Sequence, residues 1–287
     1  MRRPAVAGQF YPARKKDLVE IVETSYVDVL GPGKAPPKKV GKNSGKIKGM
    51  VVPHAGLVFS GPCAAHTYLA LAKNGFPDSL IIIGPNHSGI GSSVAVTTED
   101  WDMPFGSVKI DKALAKKMTK GVVRDDPTSH SYEHSVEVQL PFLQRLKKDM
   151  KFVPVVMGQQ DFSTSKELGN IMSEAIKGKD VIVIAASDFS HVGMNFSIPI
   201  PRGMDAGQYA KQLDEMAIEK ILAMDPKGLI KTVKKNRITM CGYGTVAATM
   251  IAAKSQGATK ARLLKYYSSH DVMPGYSAVG YGAIVFE

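Results

Sequence analysis

The feature that most constrains the fold is a run of β-branched residues at 181–184, followed at once by the polar residues Ser187, Asp188, Ser190 and His191. An apolar run this short is typical of a strand buried on both faces, as in a parallel sheet. A buried strand does not hold such polar groups without partners, so we expect them just past its carboxyl end. Open α/β sheets keep their functional sites at that edge.

The same pattern occurs twice more in the chain. A strand-like run at residues 48–53 ends at His54, and another at residues 79–86 ends at His87. The chain contains only 7 histidines, so three strands that each lead to a histidine are hard to ascribe to chance. If the strands lie side by side and parallel, we expect the three imidazoles to converge on one edge of the sheet.

Strand-like and helix-like segments alternate along the 287 residues, with no internal repeat and no clear domain boundary. This alternation predicts a single α/β domain, residues 1–287, with a central, mostly parallel sheet flanked by helices. Further strands are expected at residues 152–156, 262–267 and 279–286, and helices at 15–30, 62–73, 111–120, 132–147, 166–177, 208–223 and 240–253. Residues 94–98 and 107–110 are expected to flank a hairpin-like excursion around Trp101. The Lys-, Pro- and Gly-rich residues 31–46 are expected to form a flexible surface loop.

Composition and charge narrow the class of protein. No apolar run approaches the ~18–20 residues needed to cross a bilayer. With 2 cysteines and no export signal, we expect a reduced, cytoplasmic protein. The net charge of +11 comes largely from lysines spread along helix-like segments, without the aromatic–basic interleaving of single-strand binders. We therefore interpret it as a solvated basic surface and do not expect nucleic acid to be the main partner.

The candidate metal ligands are His54, His87 and Cys241. Neutral imidazole is a common ligand of transition metals, and both histidines stand beside Gly or Pro residues that shape tight loops. Cys241 begins the expected helix at 240–253, where the helix dipole should lower the thiol pKa and favour thiolate. The alternatives are that each histidine only caps a strand end and that Cys241 is a small buried apolar residue. Cys63, in an Ala-rich run, is expected to be structural.

Two further pairs are candidates for acid–base chemistry. Asp188 and His191 are three residues apart, so on a tight turn they could act as one unit in which the aspartate orients the imidazole. Glu133 and His134 stand at the start of an expected helix, where Glu133 alternatively serves only as a cap. The chain lacks the G-x-S-x-G, P-loop and G-x-G-x-x-G motifs, which argues against a serine hydrolase and against nucleotide chemistry. The remaining histidines are expected to be structural or exposed: His66, His130 and His270.

Six short segments together resemble the MEMO family, named for mediator of ErbB2-driven cell motility. In chain order they are A-G-Q-F-Y-P at 7–12, H-A-G at 54–56, G-P-N-H at 84–87, E-H-S-V-E at 133–137, S-D-F-S-H at 187–191 and C-G at 241–242. That family is similar in fold to the class III, extradiol-type non-haem iron dioxygenases. The resemblance implies that His54, His87 and Cys241 line a metal pocket. It also implies that His191 is the acid–base histidine, with Asp188 beside it.

One departure bears on the metal. The dioxygenases bind Fe(II) with two histidines and a glutamate, whereas the third position here is Cys241. A thiolate is softer and shifts the preference toward copper or zinc, which counts against iron-dependent ring cleavage. The resemblance thus implies a metal-dependent oxidoreductase holding copper or iron, with zinc as a further candidate. The alternative is a non-catalytic module that uses the pocket to bind a peptide or a small molecule, because a vertebrate relative is linked to phosphotyrosine peptides, copper binding and redox signalling.

Overall fold

A central sheet of ten strands organises the protein. The computed structural model describes residues 1–287. The strands are β1 (Gly49–Val52), β2 (Ser79–Pro85), β3 (Val94–Val96), β4 (Lys109–Ile110), β5 (Arg124–Asp125), β6 (Lys151–Met157), β7 (Val181–Ala186), β8 (His191–Gly193), β9 (Ala261–Ser268) and β10 (Ser277–Phe286).

Helices connect most of these strands. They are α1 (Lys15–Val27), α2 (Leu57–Asn74), α3 (Lys112–Met118), α4 (Leu140–Leu146), α5 (Phe162–Ile176), α6 (Ala206–Leu222), α7 (Pro226–Asn236), α8 (Tyr243–Ser255) and α9 (Ser269–Val272). Aspartate side chains cap several amino termini: Asp161, Asp205 and Asp225 each accept a hydrogen bond from a backbone N–H of the first turn. None of the helices combines the length and the apolar character that a membrane crossing requires.

The strand order explains how distant parts of the chain meet. It runs β5-β3-β6-β2-β7-β1-β10-β8, with β4 paired to β6 and β9 paired to β10. The central strands β6, β2, β7 and β1 are parallel, whereas β10 runs antiparallel to β1, β8 and β9. The predicted α/β domain with a mostly parallel core is therefore confirmed. Since β2, β7 and β1 are adjacent and parallel, their carboxyl ends share one edge of the sheet.

Apolar residues on both faces of the sheet hold the helices against it. Every residue of β7 is buried, as the β-branched run predicts. In β1, Met50 and Val52 join the larger apolar cluster, which includes residues of α1 and α2, while Val51 joins a second cluster with residues of α6 and α8. Successive strand residues point to opposite faces, so one short strand anchors helices on both sides.

Three local predictions differ from the structure. The helix expected at residues 132–147 begins only at Leu140, in α4, so Glu133 lies in a turn and not at a helix start. Strands β3 and β4 do not pair with each other: β3 lies antiparallel and β4 parallel to β6, and only Trp101 and Val108 form a short antiparallel bridge. Helix α2 begins five residues before the predicted start, at Leu57, and accommodates Pro62 in its interior.

Within the loop at residues 31–46, residues 41–44 are tied to the end of α2 through the hydrogen bonds from Phe76 N–H to Gly41 O and from Ser44 N–H to Asn74 O. The mobility of residues 31–46 stays a prediction.

Candidate metal site

Three loops bring the predicted ligands together at the carboxyl edge of the sheet. His54 lies two residues past β1, His87 lies two residues past β2, and Cys241 precedes Gly242, the N-cap of α8. The Nε2 atom of His54 is 3.3 Å from the Sγ atom of Cys241. Ligand atoms of all three residues lie within 4.8 Å of one another. His54 is buried and His87 is exposed, so the cluster opens to solvent on the His87 side.

The donor set fits a transition-metal ion. A tetrahedral ion with metal–nitrogen bonds of about 2.1 Å and a metal–sulfur bond of about 2.3 Å keeps its nitrogen and sulfur ligands roughly 3.6 Å apart. The separation of His54 and Cys241 is close to this value, and a ligand atom of His87 lies within 4.8 Å of both. Two imidazoles and one thiol suit copper, zinc and iron better than the hard ions calcium and magnesium. This group could hold a metal ion.

His54 is held in the neutral form that binds metals. Burial lowers its pKa well below the usual value, and electrostatic repulsion from His87 and His134 lowers it further. The rings of His54 and His87 meet edge to face with their centroids 5.1 Å apart. A neutral imidazole keeps one nitrogen lone pair free, so no proton has to leave His54 before it binds a cation.

Glu133 sets the orientation of His87. Its carboxylate lies 3.0 Å from Nδ1 of His87 and accepts the backbone N–H of the same residue at 2.5 Å. Burial opposes ionisation of Glu133, but the hydrogen bonds from His87 and the Ser135 backbone, together with the nearby imidazoles, outweigh it and lower the pKa of Glu133 to about 2. A carboxylate only accepts hydrogen bonds, so the proton of neutral His87 lies on Nδ1. The Nε2 lone pair is left for a cation, as in many metal sites.

His134 completes a second group with His87 and Glu133, whose ligand atoms also lie within 4.8 Å of one another. The Glu133 carboxylate already accepts backbone N–H groups from His134 at 2.9 Å and Ser135 at 2.8 Å, in addition to His87. The lone pairs of the Glu133 carboxylate are thereby occupied. This carboxylate therefore serves to orient His87 rather than to bind a second ion. The His134 ring lies against Phe10, with centroids 4.5 Å apart. Burial lowers its pKa to about 4.

Asp188 lies at the predicted edge but faces His54 rather than His191. Its carboxylate accepts the backbone N–H groups of His54 at 2.7 Å and Ala55 at 3.3 Å. Its own backbone N–H donates to Sγ of Cys241 at 3.3 Å. No hydrogen bond joins the side chains of Asp188 and His191, so the predicted acid–base unit is not formed as such. Asp188 instead links the loop after β1 to Cys241.

His191 has its own means of orientation. Its Nδ1 atom is 3.0 Å from the carbonyl oxygen of Phe189 and 3.1 Å from that of Thr239. Carbonyl oxygens only accept, so Nδ1 carries the proton and Nε2 is the free base. The Thr239 hydroxyl also accepts the backbone N–H of His191 at 2.7 Å. Thr239 is 48 residues away in the chain, and no pattern in the sequence indicates this contact.

The prediction for the Cys241 thiol is wrong in direction. Although Cys241 is only half-buried as a residue, the protein packed around its thiol raises the pKa well above the ordinary value. The negative charge of Asp188 raises it further, and the hydrogen bond from the Asp188 backbone N–H compensates only in part. Burial thus outweighs the helix terminus, and the metal-free protein carries a thiol. A cation that binds at Cys241 must displace this proton.

Asp214 is absent from the sequence-based prediction but supports the loop that carries His191. It is fully buried on α6, where its carboxyl group accepts the backbone N–H of Ser190 at 2.8 Å and the hydroxyl of Tyr266 at 2.7 Å. Burial raises its pKa to about 7. The sequence contains one indication that Asp214 is buried: it falls at helical spacing on the apolar stripe formed by Ala210, Ala217 and Ile221.

The fold and the donor set define a class: an α/β protein with a soft-ligand cluster at the carboxyl edge of its parallel strands. A family model described as Memo-like protein matches residues 2–285. A MEMO1 family protein of Methanopyrus kandleri is 44% identical over 100% of this chain and 99% of its own length. A MEMO1 family protein of Pyrobaculum arsenaticum is 43% identical, with the same coverage. The chain belongs to the Memo-like family.

The structural comparison agrees at the level of the fold. An uncharacterized protein of Escherichia coli K12, known from a crystal structure, superposes with a TM-score of 0.56 over 84% of this chain and 100% of its own length. The two sequences are only 12% identical, so this likeness concerns the fold alone.

Proposed function

We propose that this protein binds one redox-active metal ion through His54, His87 and Cys241 and uses it as an oxidoreductase. The observation that carries the proposal is the approach of His54 Nε2 to Cys241 Sγ at 3.3 Å, with His87 completing the set. A sulfur ligand beside two imidazoles favours copper, with iron as the second candidate and zinc as a redox-inactive occupant. Membership in the Memo-like family is compatible with this proposal and does not by itself specify a reaction.

Each residue has a defined part in this scheme. A bound redox metal would supply electron transfer between O2 and a substrate. Glu133 keeps the His87 proton on Nδ1, and Asp188 fixes the backbone at His54. His191 takes a proton from a substrate hydroxyl at Nε2, while the carbonyl groups of Phe189 and Thr239 stabilise the imidazolium that forms.

Metal binding is tested with protein prepared without oxygen and titrated separately with Cu(I), Fe(II) and Zn(II). We expect about one equivalent of metal in the wild type, because the two groups of possible ligands share His87 and the lone pairs of Glu133 already accept hydrogen bonds. Cys241→Ala and His87→Ala should each abolish tight binding. Cys63→Ala removes the other free cysteine, and His270→Ala removes a histidine that belongs to neither group of possible ligands, so both should bind as the wild type does. Failure of the wild type to retain any metal would refute the site.

Turnover separates an enzyme from a binding protein. Phenolic substrates are screened by O2 uptake with the metal-loaded protein. His191→Gln should lower the rate by about 10²–10⁴-fold while metal content stays at the wild-type level, since the residue moves a proton and is not a ligand. Equal rates in the wild type and His191→Gln would remove His191 from the mechanism.

A non-catalytic module that binds a peptide or a small molecule is the second candidate. It is favoured by an exposed apolar rim beside the site, where Phe196 packs its edge against the His191 ring with centroids 5.0 Å apart. Next to Phe196 is a cleft of about 410 Å³, which Met273 and Tyr276 also line. Tyr276 is 82% exposed, and exposed apolar patches often mark binding sites. Saturable binding of a ligand without O2 uptake would favour this alternative.

The two cysteines indicate the kind of cellular compartment in which the protein would work. Both Cys63 and Cys241 are unpaired. A cysteine that binds a metal must stay reduced, so we infer a reducing, cytoplasmic environment. Nucleic acid is not part of the proposal.

A further inference from the structure

A buried ion pair lies directly behind the turn that carries Glu133. The guanidinium of Arg2 is 2.7 Å from the carboxylate of Glu137, and the two side chains are 5% and 0% exposed. The guanidinium also stacks on the ring of Trp101, 3.9 Å from its centroid. Because two charges lose their hydration on burial, such a pair often stabilises a fold less than apolar residues of similar size. Stability alone is therefore a weak explanation for Arg2.

The remaining nitrogens of Arg2 hold the backbone of the Glu133 turn. Its Nε donates to the carbonyl oxygen of His130 at 2.6 Å, and one terminal nitrogen donates to the carbonyl oxygen of Glu133 at 2.6 Å. One rigid guanidinium thus fixes both ends of the segment 130–133. The side chain of Glu133 leaves this fixed backbone in the direction of His87.

Glu137 connects this network to the amino-terminal segment. Its carboxylate accepts the backbone N–H groups of Ala5 at 2.8 Å and Val6 at 3.1 Å, and the hydroxyl of Tyr11 at 2.6 Å. The same segment presents Phe10 to the ring of His134. The A-G-Q-F-Y-P motif at 7–12, to which the sequence assigned no chemistry, thereby becomes part of the support behind the site.

We propose that Arg2 is a positioning residue of the metal site. By fixing the backbone at Glu133, it brings the carboxylate to Nδ1 of His87 and so determines which nitrogen of His87 is free to bind the ion. Binding of an ion at His87 rests on the proposed function. The effect on the imidazole of the metal-free protein does not.

The test uses Arg2→Lys. Lysine keeps a positive charge for Glu137 but lacks the planar fork that reaches His130 and Glu133 at the same time. Arg14→Lys is the matched control, because Arg14 pairs with Asp17 on the surface and its side chain is 84% exposed.

Two quantities are measured on each variant. In the metal-free protein, nitrogen-detected NMR of the histidine rings reports the tautomer of His87. We expect the Nδ1–H form in the wild type and in Arg14→Lys, and a mixture of both tautomers in Arg2→Lys. In the second measurement, Zn(II) is titrated against a competing chelator. Loss of an orienting contact typically weakens metal binding by about 10–100-fold, so we expect a loss in that range for Arg2→Lys and none for Arg14→Lys.

Further variants keep the test decisive. Should Arg2→Lys not fold, the double variant Arg2→Met/Glu137→Gln removes both charges and leaves no buried charge unpaired. Glu133→Gln provides the reference for a lost carboxylate and should show the same mixed tautomers. A folded Arg2 variant with the wild-type tautomer and wild-type Zn(II) affinity would overturn the proposal. If the wild type binds no Zn(II), the proposed metal site fails, while the tautomer measurement still decides the role of Arg2.

Discussion

Two buried carboxyl groups, those of Glu133 and Asp214, hold residues of the candidate site in place, and their pKa values are shifted in opposite directions. Glu133 accepts the ring N–H of His87 and the backbone N–H groups of His87, His134 and Ser135, and its pKa falls to about 2. Asp214 accepts one backbone N–H and one tyrosine hydroxyl, and burial raises its pKa to about 7. Both residues are almost inaccessible to solvent. The number and charge of the donors, rather than depth, decide which carboxyl group keeps its charge.

The difference divides the site into two halves. The half that holds His87 rests on an ionic network of Glu133, Glu137 and Arg2. The half that holds His191 rests on Asp214, which changes its charge near neutral pH. We therefore expect the first half to depend on charge pairing and the second half to respond to pH.

The largest loss of unfolding free energy should come from a substitution in the half of the site that holds His87, called here the ionic half. Glu137→Ala leaves the buried guanidinium of Arg2 without its partner and removes the acceptor of Tyr11. Loss of one member of a buried pair costs roughly 3–5 kcal/mol of unfolding free energy. Urea denaturation measures this loss. Glu215→Ala, in an exposed pair with Lys211, is the control and should cost at most about 0.5 kcal/mol. Equal losses in the two variants would show that the ionic half is not held by its charges.

In the half of the site that holds His191, the unfolding free energy should depend on pH. The folded-state pKa of Asp214 is about 7, whereas an unfolded aspartate titrates near ~3.9. Between these values the folded protein binds more protons than the unfolded chain. The stabilisation is therefore complete below about pH 4 and is lost as the pH rises through about 7.

Asp214→Asn mimics the protonated form and should remove this dependence. Unfolding free energies of the wild type and the variant are compared in urea from about pH 5 to about pH 8. We expect the wild type to lose on the order of 2 kcal/mol relative to Asp214→Asn between about pH 5 and pH 7, and little more above that. Parallel curves for the two proteins would mean that Asp214 is ionised throughout.

A smaller effect tests how closely Asp214 is packed. A Cβ atom added at Gly280 would lie 1.9 Å from the carboxyl group of Asp214 and 3.0 Å from Cβ of Phe189. Gly280→Ala should therefore lower the unfolding free energy by about 1–3 kcal/mol, as overpacking usually does. Gly275→Ala is the matched control, because no atom lies within 4 Å of an added Cβ there. Thermal melting of the two variants measures the difference, and coincident curves would contradict the packing argument.

The sheet and its functional edge could be predicted because they depend on local patterns. A short apolar run followed by polar residues locates a strand and its carboxyl end, which placed His54 and His87 two residues past β1 and β2, and His191 five residues past β7, at the start of β8. The family resemblance strengthened the prediction that Cys241 is a third ligand, and this role stays a prediction. The pairing of β3 and β4 was mispredicted because both strands find their partner in β6, which lies much later in the chain.

The supporting residues could not be predicted in the same way. Arg2 meets the Glu133 turn across more than a hundred residues, and Thr239 meets His191 across 48. These contacts exist only once the layers have packed. The thiol of Cys241 follows the same rule: its helix terminus is visible in the sequence, whereas the burial that dominates its pKa is a property of the folded molecule.

The position of β10 has a consequence for protein synthesis. This strand follows every other element in the chain, yet it lies inside the sheet between β1 and β9 and supplies backbone partners to Phe189 and Ser190. A nascent chain that has not yet extended through residues 277–286 leaves the facing edges of β1 and β9 unpaired. Open strand edges invite association with other chains. Residues 277–286 must therefore leave the ribosome before the sheet can close and the loop that carries His191 can adopt its final position.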